Sequence, residues 1–285
     1  MDHVTFEAKR TFIETPSGRV SYVENGEGPV ALFVHGVLLN GYLWRHQLAG
    51  LADQRRCIAV DLLAHGSSEI MPTQDVSFDA QAIMLAQFLD ALDIDQVDLV
   101  GNDSGVGIAL IFAANFPESV RSLTLTNGDV HDNWPPKDSA GFLAMVAQGG
   151  LPDTLRRKVS DKNYFRSEEA LGPGYEHPQD VADDTNEAYL RSLLSTPQKV
   201  HDVERFILAF DNRQTVSREA KLKSLKVPTL IVWGTGDIFF HVKWSHWLSR
   251  TIPGARRRVE FAGARLFFPE ERAQELNDEL RLHWQ

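Results

Sequence analysis

Leu99-Val100-Gly101-Asn102-Asp103-Ser104-Gly105-Val106-Gly107 is the stretch that decides the fold. It joins an apolar run that reads as a strand, residues 96–101, to a segment that reads as a helix, residues 104–116. A sharp strand-to-helix turn crowds the backbone two residues before and two after its apex, so both places call for small residues. Gly101 and Gly105 therefore frame Asp103 as the apex. The other register frames Ser104 with Asn102 and Val106, which are larger, so Asp103 is preferred. The alternative is an ordinary glycine-rich turn, and the rest of the chain decides between them.

Outward from this turn the chain alternates two kinds of segment. Residues 10–14 and 18–24 read as a hairpin about Pro16-Ser17-Gly18, and residues 30–34, 56–61 and 120–126 as further strands. Helical periodicity marks residues 42–52 and 78–92. Strands separated by single helices imply right-handed crossovers and a mostly parallel sheet. The rhythm stops at residues 128–136 (GDVHDNWPP) and returns at residues 227–234 (VPTLIVWG). After it come a helix near 241–251, a strand near 256–261 and a final helix near 270–282. The intervening stretch has helical pieces at residues 139–148, 188–195 and 200–210 but no strand. The expected organisation is an α/β core from residues 1–133 and 216–285, with residues 134–215 inserted as a helical lid. Ligands of open parallel sheets sit at the carboxyl ends of the strands. The loops at 35–40, 61–68, 102–105, 127–134, 235–241 and 262–268 are where chemistry is expected.

Composition narrows the function. The 285 residues are 43% hydrophobic and 24% charged, with a net charge of −10. An acidic surface disfavours phosphate backbones and anionic membranes, so no nucleic-acid or membrane partner is expected. Cys57 is the only cysteine, which excludes an intramolecular disulfide and a thiolate metal cluster. Metal-ligand clusters, phosphate-cradling loops and cofactor fingerprints are missing, so no cofactor and no metal are expected. The first residues lack a signal-peptide core and no run of about 18 apolar residues exists, pointing to a cytoplasmic protein.

Five segments together resemble the α/β-hydrolase superfamily, and within it the aspartate-nucleophile branch of haloalkane dehalogenases and epoxide hydrolases. They are His35-Gly36 with Tyr42-Leu43-Trp44-Arg45; Asp61 with Gly66 and Ser68; the Gly101–Gly105 turn; Trp233-Gly234 with Asp237; and a terminal segment ending PEER. The resemblance covers nearly the whole chain. It implies an α/β-hydrolase fold in which Asp103 attacks an electrophilic carbon to form an ester, which a histidine-activated water hydrolyses. It also implies an oxyanion hole from the backbone N–H groups of Val37 and Ser104, with Asp237 as the acid that orients the histidine.

The chain departs from that pattern in three places. The halide-holding Trp and Asn of the dehalogenases are replaced by Ser104 and Val37, so haloalkane turnover is expected to be weak. The proline of epoxide hydrolases after the His-Gly pair is Leu38, and their ring-opening lid tyrosines cannot be placed by spacing among Tyr164, Tyr175 and Tyr189. Counting back from Glu270, Leu266 stands where the family has its catalytic histidine. A leucine cannot carry a proton. His131, beside Asp129 and Asp132 after a strand end, is the best remaining base, with Asp129 or Asp237 to orient it; otherwise it is a loop hydrogen-bonder. The alternative for Asp237, lacking its histidine, is a pairing with Arg265. His35 is expected to brace its loop at the rim of the site. Leu38, Asp129 and Leu266 should line it, and Trp44 and Trp134 should wall it.

Three functions remain from these residues. One is a cofactor-free hydrolase acting through Asp103 on a small, mostly apolar ester, lactone, epoxide or halide. Another is a lyase, isomerase or cyclase with Asp103 as general base. The third is an inert binder of a small ligand.

Overall fold

The computed structural model describes residues 1–285, the side chain of Asp138 excepted. Eight strands form one sheet: β1 (Arg10–Thr15), β2 (Gly18–Asn25), β3 (Val30–Val34), β4 (Arg56–Val60), β5 (Val97–Asp103), β6 (Val120–Gly128), β7 (Thr229–Gly234) and β8 (Ala255–Phe261). Their spatial order is β1-β2-β4-β3-β5-β6-β7-β8. The pairs β1–β2 and β2–β4 are antiparallel and the others parallel, as the alternation of segments predicts.

The strands that read as unbroken apolar runs lie in the middle. Every residue of β3, β5 and β7 is buried, because helices cover both faces of a parallel sheet. The β8 edge carries Arg256, Arg257 and Arg258, charges that keep an open edge from pairing with another chain.

The first helices are α1 (His3–Ala8), α2 (Arg45–Gly50), α3 (Phe78–Ala91) and α4 (Ser104–Asn115). Residues 104–114 of α4 are all buried, which is why its sequence is apolar on every side. The segment expected to be one helix over 42–52 is a 3-10 turn, Gly41–Trp44, running into α2. Asn40 enforces the tight start by accepting from the Tyr42 N–H at 2.9 Å.

Between β6 and β7 the described residues form helices, turns and loops only. The helices are α5 (Ala140–Ala147), α6 (Leu151–Ser160), α7 (Lys162–Phe165), α8 (Thr185–Leu190), α9 (Pro197–Leu208), α10 (Arg213–Val216) and α11 (Glu219–Leu222). The sequence reading missed α6, α7, α10 and α11. After β7 come α12 (Lys243–Thr251), α13 (Phe268–Glu271) and α14 (Ala273–His283). The expected single final helix is broken at Arg272, whose φ of −117° and ψ of 40° leave helical geometry. Among the described residues no helix is long and apolar enough to cross a membrane.

A buried cluster fastens this helical segment to the sheet side. Arg45 Nη2 pairs with Glu270 Oε2 at 2.7 Å, and the Tyr175 and Tyr189 hydroxyls donate to Glu270 Oε1. A buried ion pair holds best when such hydrogen bonds satisfy its remaining lone pairs. Both tyrosines are thereby committed to the clasp.

Candidate active site

Chain order reverses between β3 and β5, which are neighbours in the sheet although β4 lies between them in sequence. A crevice opens at the carboxyl ends of strands at such a point. Asp103 stands there as the last residue of β5, with φ 56° and ψ −127°. A positive φ is costly for a residue with a Cβ, roughly 1–3 kcal/mol, and such strain concentrates at functional sites.

The glycines around Asp103 are required by close approach. A Cβ on Gly101 would collide with the Gly105 carbonyl, one on Gly105 with the Val34 carbonyl, and one on Gly36 with the Asp103 side chain. The apex is therefore Asp103, in the preferred register of the glycine frame.

The carboxylate is held by backbone. Val37 N–H donates to Asp103 Oδ2 at 3.1 Å, and the Ser104 amide also favours its charged form. These are the two amides named from the sequence. Burial, reinforced by the Asp237 charge, nevertheless raises Asp103 to about 7. Asp129 lies beside it, its N–H donating to the Asp103 carbonyl at 3.1 Å. Burial and the Asp103 charge push the Asp129 carboxyl well above the usual range. Two carboxylates this close in a buried site resist ionising together.

Asp237 is buried too and raised to about 6, burial outweighing the N–H groups of Phe239 and Phe240 and the Asn127 amide. Asn127 Nδ2 donates to Asp237 Oδ2 at 2.8 Å, while Asn127 Oδ1 accepts from the Gly234 N–H at 2.6 Å. The alternative pairing with Arg265 does not form among the described residues; Arg265 Nη1 reaches the Pro173 carbonyl instead, at 3.4 Å. Asn127 was missed in the sequence because a buried strand-end amide carries no local signature.

A cavity of about 500 Å³ opens above Asp103. Val37, Leu38, Ser104, Asp129 and Leu266 line it with Asp103, and Phe142, Met145, Phe210, Ile238 and Phe267 are among its apolar lining. The volume suits a small, mostly apolar ligand. Ser104 and Asp129 are buried there side by side, and the Ser104 hydroxyl favours the charged form of Asp129.

Four expected site residues lie elsewhere. His131 does not turn toward Asp103. Its Nε2 lies 3.1 Å from Glu219 Oε2, its Nδ1 lies 3.3 Å from Asp132, and its ring packs 4.8 Å from Trp247. The backbone there has a φ of 52°, which turns the side chain out of the line of the strand. His35 braces its loop from beneath and touches no cavity: Nδ1 donates to the Gly36 carbonyl at 2.8 Å and Nε2 accepts from the Leu62 N–H at 3.0 Å. Both ring nitrogens are occupied, and burial lowers its pKa, keeping it neutral. Trp44 is core, packed 5.2 Å from Phe33. Trp134 stacks on Phe78 at 3.8 Å, one layer behind the cavity wall.

No histidine is among the residues that line the cavity. One cation is: Lys158, which the sequence reading did not single out. Its signal was available, since Leu151, Leu155 and Lys158 share one face of α6 and all three are buried.

A family model described as alpha/beta hydrolase fold matches residues 29–272. Haloalkane dehalogenase 2 of Mycobacterium tuberculosis (strain ATCC 25618 / H37Rv) is 28% identical over 270 residues, covering 93% of this chain and 91% of that protein. Epoxide hydrolase 1 of Caenorhabditis elegans is 26% identical over 241 residues, 79% of this chain and 58% of that protein. The solved epoxide hydrolase CorEH without ligand superposes with a TM-score of 0.78 at 19% identity, covering 95% of this chain and 96% of its own.

Proposed function

The chain belongs to the alpha/beta hydrolase fold family, and from that premise we propose that it is a cofactor-free hydrolase with Asp103 as nucleophile. The observation that carries this reading is the strained Asp103 apex, its carboxylate held by the Val37 N–H at the floor of an apolar cavity. Attack by the free carboxylate oxygen on an electrophilic carbon forms an ester as that carbon's bond to its leaving oxygen or halide breaks, the electron pair going with the leaving atom. The Val37 and Ser104 amides then stabilise the oxyanion when water attacks that ester. The helices over residues 134–215 act as the lid, since the cavity wall draws on α5, α6 and α7. The substrate is a small, mostly apolar molecule; epoxides and lactones fit better than haloalkanes, whose halide would find no indole or amide side chain at Ser104 and Val37. The single buried cysteine and the acidic composition suit the cytoplasm.

A second reading has its own support. With no histidine on the cavity wall and Asp103 near 7, Asp103 is matched to general-base work in a lyase, isomerase or cyclase. A single turnover in H₂¹⁸O distinguishes the two. Label in the Asp103 carboxylate with an unlabelled product supports the hydrolase, because water attacks the ester carbonyl and the product keeps an oxygen from Asp103; turnover without label at Asp103 supports the base. Tight binding without turnover would leave a ligand-binding protein. Asp103→Asn abolishes either reaction, by several orders of magnitude where the carboxylate is a covalent nucleophile.

A further inference from the structure

Lys158 is a buried cation to which the protein offers no acceptor. It completes the buried face that Leu151 and Leu155 begin on α6, with 4% of its surface exposed. Its ammonium makes no hydrogen bond or ion pair among the described residues, and burial alone lowers its pKa, to about 8, so the side chain is still charged at neutral pH. The backbone beneath it is fixed. The buried Asn186 amide donates to the Lys158 carbonyl at 3.2 Å and to the Val159 carbonyl at 2.7 Å, holding the end of α6. Lys158 forms part of the wall of the cavity over Asp103. Its Nζ is unpaired without being sealed from solvent, so the surface the residue keeps includes the ammonium. A desolvated charge without an acceptor costs stability, and a ligand that brings the opposite charge offsets that cost. Lys158 is the one cation lining the cavity among the described residues, which matches a single negative charge; phosphoryl groups are held by several donors together. Phe142, Met145, Phe210 and Phe267 call for an apolar remainder. The acids around the cavity do not forbid an anion there. Burial raises Asp103 and Asp129, which resist ionising together, while Glu168 and Glu169 are exposed and screened by water and salt.

We propose that Lys158 is a carboxylate-binding residue, and that the ligand of this cavity is a monocarboxylate with an apolar chain, its carboxylate on Nζ and its chain along the aromatic wall. The inference rests on the reading of this cavity as the substrate site. It does not depend on whether Asp103 acts there as nucleophile or as base. It narrows the substrate class from a small, mostly apolar molecule to one that carries a single carboxylate at the end of its apolar part.

Octanoate and octan-1-ol share a chain and differ in charge, so they are the probes. Binding of each to the wild type, Lys158→Met and Lys158→Arg is measured by titration calorimetry at pH 7, with circular dichroism to show that each protein is folded. The wild type should bind octanoate about tenfold more tightly than octanol or better, as a hydrogen bond to a charged group implies. Lys158→Met should lose that preference, octanoate weakening about tenfold or more while octanol binds at least as well. Lys158→Arg, which keeps the charge, should keep part of the preference. Saturating octanoate should raise the thermal midpoint of the wild type more than that of Lys158→Met. Equal affinities for the two probes in the wild type would overturn the proposal, whatever the variants do. So would an unchanged octanoate affinity in a folded Lys158→Met, which would place the carboxylate away from Nζ. If neither probe binds the wild type, the reading of the cavity as a site for apolar chains fails and the proposal falls with it, a result distinct from loss of the charge preference alone.

Discussion

Asn102 Nδ2 donates to the Leu266 carbonyl at 3.0 Å, so the residue before the apex anchors the loop whose leucine faces the same cavity as Asp103. A second tie, from Gly236 N–H to the Ala264 carbonyl at 2.9 Å, joins that loop to the one bearing Asp237. The two acids and the leucine therefore belong to one braced frame, with an apolar side chain at the place where the frame has room for a base.

Leu266→His should supply that base. The Asp103 ester formed with an epoxide should then decay about 100-fold faster than in the wild type or more, the low end of what a positioned base contributes. Decay is followed by intact mass after excess reagent is removed. An unchanged rate would mean that residue 266 cannot reach water at the ester.

Asp103 carries a stability signature. Its folded value, about 7, lies above the ordinary 3.8, so the folded state holds a proton that the unfolded chain has lost. Stability from this group is complete below about 3.8 and declines as pH rises to about 7. Asp103→Asn removes that decline. Its denaturant midpoint should exceed the wild type's clearly at pH 8 and only slightly at pH 5. A gain of the same size at both values would contradict the raised value.

Lys158→Met should also stabilise. The lysine falls from 10.5 to about 8 on folding, so below pH 8 the folded state bears the full cost of an unpartnered charge. That cost is on the order of 3–4 kcal/mol from the shift alone. The gain in urea unfolding should be greatest at pH 7 and shrink as pH rises toward 10.5. A loss of stability at pH 7 would show that the ammonium has a partner.

His131→Asn should leave turnover unchanged and lower stability by about 1 kcal/mol, the usual net worth of one hydrogen bond. Asparagine tolerates the positive φ at this position, so the change reports on the Glu219 contact and the packing on Trp247. A tenfold fall in turnover with the fold intact would return His131 to the chemistry.

The strands and the glycine-framed turn were legible in the order of residues because each depends largely on near neighbours, while the Val37 amide at Asp103, 66 residues away, was read from the family resemblance. Apolar runs such as VALFV bury themselves wherever a parallel sheet forms, and Gly101 answers crowding against Gly105 within the turn itself, whereas Gly105 and Gly36 answer the close approach of Val34 and Asp103 from neighbouring strands. Which side chains meet was a different matter. His131 was expected at Asp103, but Glu219, 88 residues further along, claims its ring. Trp44 and Trp134 are wide apolar surfaces that suit a pocket or a core equally, and Phe33 and Phe78 drew them inward. Asn127 gained its place only when β7 paired with β6, and Lys158 only when α6 packed on α7, α8 and α9. Backbone sterics act over a few residues and are written locally; a buried polar group's partner is chosen by long-range packing, which no short stretch of sequence contains.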